Sequence, residues 1–258
     1  MAQTPSQRPQ LGLIFALPIE AHAFEGMTTE RSAYRGADLT IHEGQFANQR
    51  VCWAVSGVGR AAATKAAQMI SAGHRPRCLI SVGFAGGLTQ TLARGQLVIP
   101  ARVINEDQPE RPGWPVDTAI TSQLWQQIPP DNLTLVSVAK IASSPAAKAA
   151  VRQATAADLL DMEAAAVATV AAENQLAFLT VRVISDTATE CLPPEVERLS
   201  QPQSALHRLG AALSAVARRP SVAVDFWNLW EQGVLHSRTL ANGLMKVADA
   251  AGRQQHAH

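Results

Sequence analysis

Two short segments in the second half of the chain carry carboxylates where chemistry could use them: Asp161-Met162-Glu163 and Ser185-Asp186. Glu163 opens a helical stretch of about 12 residues, roughly 18 Å long. The chain turns near Asn174-Gln175 and returns as a strand, Ala177 to Ile184, of about 8 residues and roughly 26 Å. The helix runs away from its start and the strand runs back, so helix start and strand end share one edge of a sheet. Glu163 and Asp186 are therefore expected to face a common cleft. Carboxylates so placed can transfer protons or accept hydrogen bonds from hydroxyls. A local reading competes. Asp161 can cap the helix with Glu163 in its first turn, favoured by the dipole, and Asp186 can be an N-cap. Glu20, just after Pro18, is expected at the end of the first strand on the same edge. A glutamate there is otherwise an ordinary solvated carboxylate.

Two glycine segments stand beside these carboxylates. Gly57-Val58-Gly59-Arg60-Ala61-Ala62 matches the loose dinucleotide pattern G-x-G-x-x-A. It does not follow the first strand, and no acidic residue stands at a strand end about 20 residues on. The better reading is a tight turn whose glycines let backbone approach a sugar or an anion. Gly83-Phe84-Ala85-Gly86-Gly87 is expected as a loop after a buried strand. It is either a plain turn or a place where a ligand rests against backbone amides, as ligands do at the carboxyl ends of strands in open α/β sheets.

Alternating elements must position these groups. Leu11 to Leu17 reads as a first buried strand, and Leu39 to Gln45 with Arg50 to Val55 as a strand pair around Asn48. Arg60 to Ala72 has helical spacing of Ala62, Ala63, Ala66, Met69 and Ile70, with Gly73 as its stop. Cys78 to Val82 is another buried strand, and Gln96 to Ile104 a strand broken by Pro100. Residues 105–117 form a proline-rich loop and 118–127 a short helix. Leu133 to Val138 is a strand, and Ala146 to Ala154 and Glu163 to Asn174 are helices. Residues 204–217 are helical, and a last helical segment runs from Pro220 to about residue 250. The order gives an α/β fold with a largely parallel sheet.

The 258 residues fit one domain, 1–258, with a polar N-terminus at 1–10 and a helical extension at 220–250. A net charge of +1 gives no attraction to nucleic acid. Cys52, Cys78 and Cys191 have no redox or metal-ligand spacing, which points to a reducing, cytoplasmic compartment. The apolar run Leu11 to Ile19 lacks the flanks of a signal peptide and is too short to span a bilayer. No His, Cys or carboxylate cluster has metal-ligand spacing, so no metal or organic cofactor is expected.

Taken together, the segments resemble the nucleoside phosphorylase and nucleosidase superfamily. The likeness is strongest to methylthioadenosine/S-adenosylhomocysteine nucleosidases and to the hopanoid-associated phosphorylase branch. It rests on five blocks in order: Leu13-Ile14-Phe15-Ala16-Leu17-Pro18-Ile19-Glu20, Ser56-Gly57-Val58-Gly59, Val82-Gly83-Phe84-Ala85-Gly86-Gly87-Leu88, Met162-Glu163-Ala164-Ala165-Ala166 and Val181-Arg182-Val183-Ile184-Ser185-Asp186. The resemblance implies a three-layer αβα sandwich around a central mixed, largely parallel sheet, and a homodimer. It implies cleavage of the N-glycosidic bond of a purine nucleoside, with release of adenine. Asp186 then protonates the leaving base at N7, Glu20 takes the proton of water, and Glu163 orients the ribose over Met162. Ser185 places Asp186, and Gly83, Phe84, Ser56, Gly57 and Ile141 line the substrate.

Departures from the family pattern narrow the chemistry. Phosphorylases of this superfamily hold phosphate with arginines and a serine, where this chain has Ser81 and Phe84. The first loop offers only His22 as a cation. Hydrolysis by water is therefore favoured, and phosphorolysis, with Arg60 as the anion contact, is the alternative. Phe84 replaces a hydroxyl of the methylthioadenosine nucleosidases, and Lys140 stands where they place an aromatic ring. Phe84 and Cys191-Leu192-Pro193-Pro194-Glu195 look more like the hopanoid-associated branch. A non-catalytic nucleoside sensor is the rival of another class. Near the C-terminus, Phe226, Leu229 and Trp230 share a helical face beside Trp227. They are expected against the core or a second subunit, or else against a membrane surface.

Overall fold

A computed structural model describes residues 9–36, 38–117, 132–192 and 221–255. The helices expected at 118–127 and 204–217, the N-terminal 1–8 and Pro193-Pro194-Glu195 lie outside the described residues. The sheet is built around β1 (Leu11–Phe15), β4 (Gln49–Val55), β5 (Cys78–Gly87) and β11 (Ala177–Asp186). β4, β1, β5 and β11 pair parallel in that order, so the fully covered strands read as near-continuous apolar runs. β2 (Thr29–Arg35) and β3 (Thr40–Phe46) extend this sheet antiparallel beyond β4. β6 (Leu97–Val98) pairs antiparallel with the far side of β11. The end of β5 also pairs antiparallel with β10 (Leu159–Asp161). β10 leads on to β9 (Thr134–Ser137), β7 (Arg102–Asn105) and β8 (Trp114–Pro115). The sheet is mixed, with its parallel pairings at the centre.

Helices cover both faces. α2 (Arg60–His74) packs on α4 (Ala164–Glu173), and α1 (Pro18–Met27) packs on α5 (Ser221–Gln255). α3 (Pro145–Thr155) precedes β10. α5 covers the last helical segment expected from the sequence. Its inner half buries His236, Ser237, Leu240, Ala241, Leu244 and Val247, so this part is core. The side chains of Phe226, Trp227, Leu229 and Trp230 lie outside the described residues. Among the described residues no helix is long and apolar enough to cross a membrane.

Four expectations change. β1 stops at Phe15, and Glu20 stands in the first turn of a helix rather than at a strand end. Pro18 at the helix start has its φ preset and lacks only an N–H that would be unpaired there. Phe24 then docks against Phe15, Phe46 and Trp53 with ring centroids 4.7–5.4 Å apart. Second, Gly73 does not stop α2, which runs to His74 and ends at Arg75 with φ 47°, followed by Pro76. Third, Gly83 to Gly87 is not a loop but the continuation of β5, paired with β11 from Gly83 to Gly86 and with β10 at Gly86 and Gly87. Fourth, β2, β8 and β10 have no strand signal in the sequence: β2 is an exposed, charged edge, β8 is two residues inside the expected loop 105–117, and β10 is three residues long.

Candidate active site

The glycines of β5 explain how the carboxylates come together. A Cβ on Gly83 would lie 2.6 Å from Glu20 Oε1, and one on Gly86 3.2 Å from Asp186 Oδ2. Only a strand without side chains at these positions lets both carboxylates lie against it. They meet β5 three residues apart, about 10 Å along the strand. Glu20 is 4% exposed, and among the described residues its carboxylate is held by backbone amides. The amides of Ala16 and Leu17 donate to Oε2 at 2.9 and 2.8 Å, and Phe84 N–H donates to Oε1 at 2.8 Å. Burial raises its pKa above the ordinary 4.5, against the pull of those amides and of Arg182.

Glu163 occupies the N-cap position of α4. Its Oε1 accepts from Gly59 N–H at 2.6 Å. Gly59 has φ 97°, a conformation that side chains rarely adopt, and this aims its amide at the carboxylate. The G-x-G turn therefore approaches an anion as expected, and that anion is the protein's own Glu163. Ser56 Oγ donates to the carbonyls of Phe15 and Gly57, and Gly57 N–H to that of Ala16, which ties the turn to the end of β1. Burial, then the charge of Asp161, push the Glu163 pKa up to about 8, while Gly59 N–H works the other way. Glu20 adds to the rise, so these two carboxylates feel each other.

Asp161 has a different setting. It accepts from Ser137 Oγ at 2.5 Å and Ala164 N–H at 2.8 Å, and pairs with Arg182 Nη2 at 2.5 Å. Arg182 also donates to Ser81 Oγ at 2.6 Å and to the carbonyls of Ser81 and Val181. The ion pair is almost fully buried, at 2% and 1% side-chain exposure. The Ser81 hydroxyl, at the position of a family arginine, thus helps satisfy the guanidinium of Arg182.

Asp186 stands at the end of β11, where the register with β5 slips between Ile184 and Asp186. This bulge at Ser185 re-aims the chain, and Ser185 Oγ donates to Asp186 Oδ1 at 2.6 Å. Lys148 of α3 lies 2.5 Å from Asp186 Oδ2 in an ion pair at 1% and 5% side-chain exposure. Its aligned hydrogen bonds go to the carbonyls of Thr187 (2.5 Å) and Glu190 (3.0 Å). Phe84 stacks edge-on against His236 of α5 at 5.6 Å, and Ser237 of α5 donates to the Glu20 carbonyl. Met162 packs on a small second core with Leu88, Val136 and Leu160. Ile141 is half-buried between β9 and α3, and Lys140 beside it is exposed. Arg60 turns its guanidinium to Asp107 and Asn105, both at 2.7 Å. An incoming anion would have to displace both.

The structure thus brings Glu20, Glu163 and Asp186 to β5 and its flanking turns. It adds Lys148, Arg182, His236 and Ser237, which have no role in the reading of the sequence. Arg182 carries a signal in hindsight, as the one charged residue inside an apolar strand. Lys148 carries none: it is one lysine in an alanine-rich helix. Among the described residues, no three His, Cys, Asp or Glu side chains gather as a metal-binding group.

Comparison with known proteins follows the same lines. A family model described as the phosphorylase superfamily matches residues 10–219. A 5'-methylthioadenosine/S-adenosylhomocysteine nucleosidase of Haemophilus ducreyi is 27% identical over 209 residues, which is 70% of this chain and 87% of that protein. The match to the nucleosidase of the same description from Actinobacillus succinogenes is 26% identical over 98 residues, spanning 38% of this chain and 43% of that relative's length. Among solved structures, a 5'-methylthioadenosine/S-adenosylhomocysteine nucleosidase from S. pneumoniae, bound to a transition-state inhibitor, superposes with a TM-score of 0.72 at 18% identity. It covers 93% of this chain and 98% of the other.

Proposed function

This chain belongs to the phosphorylase superfamily, and from that premise we propose that it is a purine nucleosidase, hydrolysing the N-glycosidic bond of an adenosine-type nucleoside to release adenine. The observation that carries the reading is the pairing of Glu20 and Asp186 along the glycine strand β5, with Glu163 beside Glu20. Water attacks C1' of the ribose as the bond from C1' to N9 breaks. Glu20 takes the proton of that water, and the pKa that burial raises makes it a stronger base than an ordinary glutamate. Asp186 delivers a proton to N7, so the base departs neutral. Glu163 accepts hydrogen bonds from the ribose hydroxyls and counters the positive charge that develops on the sugar. Water is the nucleophile, and no metal or organic cofactor takes part.

The relatives support this direction, since those compared are named as nucleosidases of methylthioadenosine and adenosylhomocysteine. Against Phe84, edge-on to His236, we place an apolar 5'-substituent, methylthio-like or the larger adenosylhopane-like group. The free thiols of Cys52, Cys78 and Cys191 suit a cytoplasmic protein, and the family resemblance suits a homodimer. Chromatography for free adenine, after incubation with methylthioadenosine, adenosylhomocysteine and adenosine with and without phosphate, tests the reading. Adenine release without phosphate is expected. Release only with phosphate would make the protein a phosphorylase, and binding without release would make it a sensor.

A further inference from the structure

Lys148 is one of the most deeply buried polar side chains, and its surroundings are specific. Its stem lies in α3, and its ammonium reaches past the end of β11 to three oxygens: Thr187 O, Glu190 O and Asp186 Oδ2. The two carbonyls take aligned hydrogen bonds. The carboxylate takes close ionic contact without that alignment, so Oδ2 has no aligned hydrogen-bond donor among the described residues. The turn that supplies the carbonyls is itself fixed. Glu190 Oε2 accepts from Thr187 N–H at 2.7 Å and pairs with Arg94 at 2.9 Å, and Leu192 N–H donates to Ser143 O just before α3. A helix, a turn and a strand end thus converge on one lysine whose head group faces the proposed acid.

A lysine charge in such a place needs partners, and a surface role could be served without burying it. We propose that Lys148 acts through Asp186 as a positioning residue that supplies the proton for the leaving base, so that the acid of this site is the pair and not the carboxyl alone. The inference rests on the nucleosidase reading. The proposed transfer starts from an ammonium at Lys148 and a carboxylate at Asp186. As the bond from C1' to N9 breaks, its electron pair passes to the base. A proton moves from Lys148 Nζ to Asp186 and from Asp186 to N7. The base leaves neutral, Lys148 is left as an amine, and Glu20 holds the proton of the attacking water. Solvent then returns a proton to Lys148 and takes one from Glu20.

The test compares two substrates of the full chain: an adenosine-type nucleoside and its N7-methylated analogue, whose base is already cationic and needs no proton to leave. Lys148→Met is expected to lower kcat on the first about 100-fold or more, the low end of what proton transfer contributes, and on the second about 5-fold or less. Lys148→Arg keeps a cation that does not give up its proton, and should reproduce the selective loss. Circular dichroism and gel filtration check folding, and if Lys148→Met does not fold, Lys148→Arg carries the test. Equal loss on both substrates, or wild-type turnover in Lys148→Arg, overturns the proposal. Failure of the wild-type chain to release base from either substrate overturns the nucleosidase reading and this proposal with it.

Discussion

Asp161 and Glu163 are two residues apart and live in opposite circumstances. Asp161 is met by a guanidinium, a hydroxyl and a backbone amide. Glu163 and its neighbour Glu20 are met by backbone amides and by each other's charge. The first arrangement stabilises an ionised carboxylate as part of the frame. The second holds two carboxylates in fixed positions and disfavours their ionisation, which suits groups that exchange protons or meet a cationic sugar. Partners, rather than burial, therefore separate a structural carboxylate from one available for chemistry.

The largest effect expected from this contrast is on turnover. Glu20→Gln keeps the volume and removes the base, so kcat should fall about 10³-fold while the fold survives. Near-wild-type adenine release from that variant would remove Glu20 from the chemistry. The mirror experiment is Asp161→Asn, which leaves Arg182 buried without its counter-charge. Breaking such a pair costs about 3–5 kcal/mol, read from urea denaturation. If Asp161→Asn unfolds at the wild-type midpoint yet loses turnover, the division between frame and site is drawn in the wrong place.

The pH response sharpens the contrast further. Glu163 has its pKa pushed up to about 8 from an ordinary 4.5. If it binds ribose hydroxyls as a carboxylate, kcat/KM should climb about tenfold per pH unit below that point. In Glu163→Gln this limb disappears, and what remains is the titration of Glu20, itself raised above 4.5 by burial. Stability runs the other way. A group whose folded pKa is raised binds more protons folded than unfolded. Its contribution is present below about pH 4.5 and is lost as pH rises through about 8. Glu163→Gln should therefore gain stability relative to wild type at pH 9, by a few degrees in thermal unfolding. No relative gain at pH 9 would mean that Glu163 ionises without strain.

Much of this site is legible in the sequence, for reasons that particular residues make plain. The expectation that Glu163 and Asp186 share a sheet edge rests on one helix and one strand of known rise, and the structure keeps both elements nearly as read. Glu20 lies in the first turn of a helix and not at a strand end, because Pro18 reads equally as the end of a strand and the start of a helix. Gly83 to Gly87 read as a loop because a glycine run signals a turn when nothing shows what presses against it. What presses is Glu20 and Asp186, from distant parts of the chain. Lys148 was illegible for the same reason, since its partners lie 38 or more residues away in sequence and on another element.

The smallest expected effect concerns Arg60. It borders the turn that holds Glu163, yet its guanidinium is directed to Asp107 and Asn105 at the surface. With the two charged side chains 42% and 56% exposed, that contact belongs to the class of ion pairs worth about 1 kcal/mol or less. Arg60→Ala should therefore leave the unfolding midpoint within a degree or two and leave phosphate-independent adenine release unchanged. The informative arm adds phosphate. Wild type and variant should respond alike, since an arginine engaged with Asp107 leaves no ready anion site. Stimulation of the wild-type chain by phosphate, lost in Arg60→Ala, would show that Arg60 leaves Asp107 for the anion. It would also move Arg60 from the frame, where Asp161 stands, to the site, where Glu163 stands.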